Sequence, residues 1–281
     1  MAAIRPNAAK GLKMSSTVRI IVTPSVTRLP ANTPGSVVVG GSHAAIYTVY
    51  LSAKAGARAA IQHDAGIGLD QAGVSGLAWA EKLGMAVAAV AANSARIGDG
   101  EDMMRRGILS RVNKIAAACG VTPGMTCRDA AEWLRNAPLL HTPPEPFAET
   151  RFVHEKAKGK RRIICVDSVA LAKTEDEDQV LAAGSHAGLP SGEYIAKIRP
   201  RLSLCNDASM GIDQAGISSL PVLGTAGIAA AAVSFMTARI GDGRSTLLEG
   251  VISALNREAT ALGGEIGMKA LDLARLAAAA K

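Results

Sequence analysis

Three polar segments carry the residues of this chain that could do chemistry, and each occurs twice. Gly-Ser-His-Ala stands at residues 41–44 and 184–187, Asp-Ala-x-x-Gly-x-Asp-Gln-Ala-Gly at 64–73 and 207–216, and Ala-Arg-Ile-Gly-Asp-Gly at 95–100 and 238–243. Histidine is the natural proton carrier near neutral pH. An arginine on a loop offers a planar fork for a carboxylate or a similar group. Glycine turns expose backbone N–H groups that can hold an anion or an oxyanion. These residue types predict His43 and His186 with Asp64 and Asp207 as acid–base groups, and Arg96 and Arg239 as a substrate clamp. Asp70, Asp213, Asp99, Asp242, Gly41 and Gly184 complete the expected binding surface, with Ser42 and Ser185 as hydrogen-bonding or nucleophilic hydroxyls. Adjacent side chains on an extended segment point apart, so a serine mechanism needs its base from another loop or from the sister copy.

Plainer readings compete at each position. Asp70 and Asp213 precede helical patterns and could cap them, and Asp99 and Asp242 could do the same or serve simple turns. Arg96 and Arg239 could pair with these aspartates, and the histidines could be satisfied core groups. Asp64 and Asp207 follow apolar strands, where a carboxylate needs a partner. Asp64, Asp70, Asp99 and His43 could also ligate a Mg²⁺- or Mn²⁺-like ion, so a divalent metal is left open, with no organic cofactor expected. The chain has no G-x-G-x-x-G opening a helix and no G-x-x-x-x-G-K-[ST].

Residues 204–209, Leu-Cys-Asn-Asp-Ala-Ser, resemble the Cys-Asn-Thr-Ala-Ser loop of the aspartate/glutamate racemase superfamily. That superfamily has two related α/β halves with a cysteine on each side of the cleft. The resemblance covers six residues and implies Cys205 as a nucleophile or proton donor; Gln62 stands where the second cysteine would be.

These segments need a scaffold that is itself repeated. A shift of 143 positions aligns residues 19–113 with 162–256 without a gap, and about 36 of those 95 positions are identical. Strand-like apolar runs alternate with helical patterns, which predicts an α/β fold of two duplicated α/β units with largely parallel sheets, related by a pseudo-twofold. The expected boundaries are an N-terminal arm over 1–18, a first repeat over 19–136, a proline-rich linker over 137–160 and a second repeat over 161–281. Each polar segment directly follows a predicted strand, and in such sheets the ligand crevice lies at the carboxyl ends of the strands. The run Val-Arg-Ile-Ile-Val at 18–22 reads as an antiparallel edge or part of the arm, because the proline-broken connection after it looks too short for a crossover. Residues 101–120 read as one long amphipathic helix.

Composition narrows the functional classes. The chain has 281 residues, a formal net charge of +7, 48% hydrophobic residues and 3% aromatics. Base-stacking platforms need aromatics, so nucleic-acid binding is not expected. The basic run at 155–162 reads as a solvated linker. Four scattered cysteines without a C-x-x-C pair fit reduced thiols in the cytoplasm. No apolar stretch reaches the roughly 18 residues of a membrane span. The reading is an enzyme, homo-oligomeric on base rates, acting on a small polar anionic molecule by hydrolysis of an amide or cyclic amide bond. Proton-transfer isomerase or lyase chemistry and non-catalytic metabolite binding are the alternatives.

Overall fold

The computed structural model describes residues 17–156 and 159–280. Most of the expected arm, residues 1–16, lies outside them, as do linker residues 157–158 and the terminal Lys281. The chain builds two mixed α/β layers around two mostly parallel sheets of five and six strands.

In the first sheet, β1 (Ile20–Thr23), β2 (Val37–His43), β3 (Ala59–His63) and β4 (Ala86–Val90) run parallel, and β5 (Leu109–Val112) closes the edge antiparallel to β4. α1 (Ile46–Lys54) and α2 (Ser75–Lys82) cross between the parallel strands. α3 (Gly100–Arg106), α4 (Lys114–Ala118) and α5 (Cys127–Trp133) complete the unit. Alternation along the strands feeds two cores. Val37, Val39 and Ile61 face one layer, while Val38, Ala60 and Val87 face the other. Strands buried on both faces read as continuous apolar runs.

The second sheet repeats this plan with one strand added. β7 (Ile163–Val166), β8 (Val180–His186), β9 (Leu202–Asn206) and β10 (Ala229–Val233) are parallel. β11 (Ile252–Leu255) is antiparallel at one edge and β6 (Arg151–Glu155) at the other. The helices are α6 (Leu189–Ile198), α7 (Ser219–Thr225), α8 (Gly243–Leu248), α9 (Arg257–Ala261) and α10 (Ala270–Ala279). β6 therefore comes from residues read as linker. No helix among the described residues is long and apolar enough to cross a membrane.

Two local expectations fail for identifiable reasons. β1 is parallel to β2, not an antiparallel edge. A single 3-10 turn at Val26–Arg28, with Val26 buried in the core, suffices to carry the chain across. The long helix expected over 101–120 is broken into α3, β5 and α4. Gly107 ends α3, where a Cβ would meet the Met103 carbonyl oxygen at 2.5 Å. Asn113 then caps α4, accepting from Ala116 N at 3.0 Å while its Oδ1 also accepts from Val87 N at 3.1 Å. One asparagine thus starts a helix and ties it to β4.

Candidate functional site

All three polar segments lie at the carboxyl ends of parallel strands. His43 ends β2, Asp64 follows β3, and residues 95–100 follow β4; the same holds for β8, β9 and β10. The carboxyl ends of the two sheets meet, and the repeated segments make that junction. Arg239 Nε donates to Asp70 at 2.7 Å, and Arg96 Nε donates to Asp213 at 2.9 Å. Leu69 N donates to the Phe235 carbonyl and Ile212 N to the Ala92 carbonyl, both at 2.8 Å. Ala65, Ala72 and Ile97 pack with their counterparts Ala208, Ala215 and Ile240 in one small apolar cluster. Each contact has its reciprocal 143 positions away.

The loop after β3 is wound tightly to reach across. Ala65, Gly66, Ile67 and Gly68 all have positive φ, as do residues 208–211. Asp64 holds this conformation by accepting from Gly66 N at 2.8 Å and Ala92 N at 2.9 Å. Asp207 does the same with Ser209 N at 3.0 Å and Phe235 N at 2.9 Å. Burial raises the Asp207 pKa against these hydrogen bonds. Asp70 and Asp213 sit in left-handed backbone within the turns before α2 and α7 and do not cap those helices. Asp99 and Asp242 do cap, accepting from Asp102 N and Ser245 N at 2.9 Å.

The Ser-His pairs lie at the centre. Ser42 Oγ accepts from Val26 N at 3.1 Å, and Ser185 Oγ accepts from Val169 N at 3.0 Å, so each hydroxyl oxygen already receives a backbone donor. Gly41 and Gly184 precede them where a Cβ would collide with the backbone N of Asp99 or Asp242. His186 Nδ1 accepts from Gly188 N at 3.0 Å. His43 has no hydrogen-bond partner for its ring nitrogens among the described residues, although only 9% of it is exposed. Burial, helped by the nearby His63, lowers its pKa to about 4. Burial and the two other histidines lower His186 to about 3. Both rings are neutral at physiological pH.

His43 opens onto a cavity of about 380 Å³ between the units. Asp70, Asp167, Asp242, Glu149, Ser185 and Arg239 line it with Tyr47 and Thr48. A narrower recess of about 50 Å³ shares His43 and Ser185 and also reaches Ser42 and His186. Asp64 instead borders a separate open depression with Asn93 and Gly211. The acid–base partner expected for His43 is therefore not Asp64.

Comparison with known proteins finds no matching family model, no matching curated protein and no matching solved structure.

Repetition gave no signal for two of the acidic residues in this cavity. Glu149 lies in the segment read as linker, which folds over the cavity as a strap before entering β6. Phe147 of the strap packs on Tyr47 and Tyr50, with ring centroids 6.1 Å apart in each case. Thr150 donates to Asp167 Oδ2 from its backbone N at 2.6 Å and from its hydroxyl at 2.7 Å. Asp167 Oδ1 accepts from Gly243 N at 3.1 Å, which keeps this carboxylate supplied with donors. Burial, reinforced by the Asp167 charge, lifts the Glu149 pKa to about 7 against a hydrogen bond from Tyr47. The signal available was apolar content: the proline-rich segment also holds Leu139, Leu140 and Phe147, more large apolar side chains than a free linker needs.

The arginines are not open to a ligand in the expected way. Arg239 is engaged by Asp70 and, at 2.7 Å, by Glu249. Arg96 faces Asp213, which also pairs with Arg106 at 2.6 Å. Cys205, on β9, turns its side chain into the apolar core away from the cavity, its thiol pushed up to about 12 by burial. His63 and Asn206, which differ between the copies, do one job. His63 receives Ala65 N on Nδ1 and meets the Ala95 carbonyl through Nε2, both at 3.0 Å. Asn206 receives Ala208 N at 2.9 Å and donates to the Ala238 carbonyl at 3.0 Å. No group of three or more His, Cys, Asp or Glu side chains among the described residues is arranged to hold a metal ion.

Proposed function

We propose that this protein is an enzyme that hydrolyses an amide or cyclic amide bond of a small polar molecule held between the two units. The observation that carries the reading is the sharing of one cavity by Glu149, with a pKa of about 7, and a buried His43 without a protein partner. A general acid–base works best when its pKa lies near the working pH. As a carboxylate, Glu149 takes a proton from water as the water oxygen bonds to the carbonyl carbon. It then returns that proton to the nitrogen as the C–N bond breaks, so one water is consumed and a carboxylic acid and an amine or amide nitrogen are released. Neutral His43 supplies an N–H to the oxygen on which negative charge develops. Ser42 and Ser185 are hydrogen-bonding residues here, since each Oγ already accepts from a backbone N–H.

Proton-transfer isomerisation or a lyase reaction is the second reading. It is favoured by the same hydroxyl arrangement, which offers no activated serine, and by Glu149, whose pKa of about 7 suits a carboxyl that shuttles a proton. A cytoplasmic setting is supported by the four unpaired cysteines. The expected homo-oligomer is tested by light scattering on the purified chain.

The reaction is tested by incubating the protein with a panel of linear amides, cyclic imides and hydantoins and following release of the new carboxyl group. Turnover that falls at least about a hundredfold in Glu149→Gln supports the reading. Equal turnover in wild type, Glu149→Gln and His43→Asn would falsify it.

A further inference from the structure

We infer that the molecule selected by this cavity carries a cationic nitrogen group, an ammonium or amidinium, seated against Asp167, Glu149 and Asp242, with its uncharged polar end on His43. The inference rests on the same cavity as the proposed reaction and names the class of ligand it takes. The expected clamp for an anion is absent in practice, because the Arg239 guanidinium is held by Asp70 and Glu249. What faces the cavity in excess is carboxyl: Asp70, Glu149, Asp167 and Asp242 against that one arginine. The histidine adds no charge to offset them, since its burial keeps it neutral above a pH of about 4.

Two further features point to a ligand. His43 is a buried polar side chain that lines the cavity without a hydrogen-bond partner among the described residues, and such groups normally have one. An incoming N–H or carbonyl oxygen would satisfy it. Tyr47 and Phe147 stand together on one wall, and a ring face attracts a cation. The strap that brings Phe147 also brings Glu149, so the same segment provides an aromatic wall and a carboxyl.

A cation beside Glu149 favours its ionised form, so binding must expel a proton when that carboxyl is partly protonated. The groups facing Glu149 are the Tyr47 hydroxyl from α1, Asp167 after β7, Asp242 and Arg239 from the loop before α8, Asp70 and His43. Burial and the Asp167 charge place the Glu149 pKa at about 7, and the buried His43 is neutral above a pH of about 4.

The test uses the full-length protein and three probes of one shape: benzamidine, benzamide and benzoate, which are cationic, neutral and anionic at pH 7. Calorimetric titrations in buffers of different ionisation enthalpy give both affinity and protons exchanged. The expected result is benzamidine binding at least tenfold tighter than benzamide, with benzoate weakest. Benzamidine binding should release roughly half a proton at pH 7 and almost none at pH 9. Glu149→Gln, checked for folding by its thermal melt, should abolish that release. Benzoate binding as tightly as benzamidine, or no binding by any probe, overturns the inference. So does proton release that is unchanged in the variant. Benzamidine binding without amide turnover would leave the ligand class standing and sink the reaction. Turnover restricted to anionic amides would do the reverse.

Discussion

Arg239 reaches out of its own unit to Asp70 of the other at 2.7 Å, and Arg96 returns the contact to Asp213 at 2.9 Å. The two most conspicuous charged positions of the repeated segments are therefore spent on holding the units together. The Asp70 side chain is 60% exposed and that of Arg239 37%. Ion pairs at such exposure are typically worth about 0.2–1 kcal/mol. Asp70→Asn is expected to lower unfolding free energy by no more than that. A double-mutant cycle with Arg239→Gln in urea should return a coupling within the same range, and a coupling several times larger would show that this pair carries the interface.

The tight loop after β3 should matter more. Gly66 has a φ of +75°, and a Cβ there would collide with Ser209 of the other unit. Gly84 has a φ of +77° with nothing within 4 Å. Gly84→Ala should therefore cost only the left-handed backbone penalty, roughly 1–2 kcal/mol. Gly66→Ala should cost about 1–3 kcal/mol more, for the forced repacking. Thermal melts of the two variants give the comparison directly. Equal losses would mean that the junction yields freely at Ser209.

The contrast between these residues and Glu149 explains what the sequence could and could not reveal. Where two units meet through reciprocal contacts, each position faces its counterpart's surroundings and both copies keep the same residue. Gly41, Arg96 and Asp64 are legible in this way, and so is the strand-end placement of their segments. A cavity with different walls needs each group only once. Asp167 faces Pro24 in the aligned copy, and Glu149 lies outside the aligned stretch altogether. Comparing the copies therefore hid both. The 3.6-residue pattern over 101–120 misled for another reason: β5 is a half-buried edge strand between two short helices, and Gly107 and Asn113 were its only local punctuation.

His63 and Asn206 make an exchange experiment available. Each bridges a backbone N–H two residues on to the carbonyl of Ala95 or Ala238. His63→Asn should be tolerated within about 1 kcal/mol. His63→Leu leaves a buried N–H and C=O unpaired and should cost on the order of 2–4 kcal/mol. Urea midpoints that rank the two variants the other way would remove the shared bridging role.

The buried His43 and the half-buried Glu149 pull stability in opposite directions with pH. The folded pKa of His43, about 4, lies below its unfolded value of ~6.5, so its contribution is whole above pH ~6.5 and is lost as pH falls toward 4. That loss is on the order of a few kcal/mol. The folded pKa of Glu149, about 7, lies above its unfolded value of ~4.3, so its contribution is whole below pH ~4.3 and is lost as pH rises through 7. Urea denaturation across pH 4.5–8.5 should show His43→Asn with a flatter acid limb and Glu149→Gln with a flatter alkaline limb. His63 and His186 are also lowered by burial, so His43→Asn flattens the acid limb only in part.

The two histidines should differ in function although their segments are identical. On the His43 side, Gly241 leaves the ring open to the cavity, with Tyr47, Glu149 and Asp167 around it. On the His186 side, Pro190 takes the place that Tyr47 has in the aligned copy, and a Cβ on Gly98 would lie 2.8 Å from its ring. His186 Nδ1 is also occupied by Gly188 N, which leaves one ring nitrogen against two on His43. His186→Asn is thus expected to lose stability, because an amide cannot fill the same buried space, yet to keep turnover and benzamidine binding within a few-fold of wild type. His43→Asn, whose ring is buried to a similar degree, should lose some stability too, and should lose turnover by about a hundredfold or more. If His186→Asn, still folded, lost turnover as fully as His43→Asn, both histidines would be acting on the substrate through the narrow recess they share, and the single-cleft reading would fall.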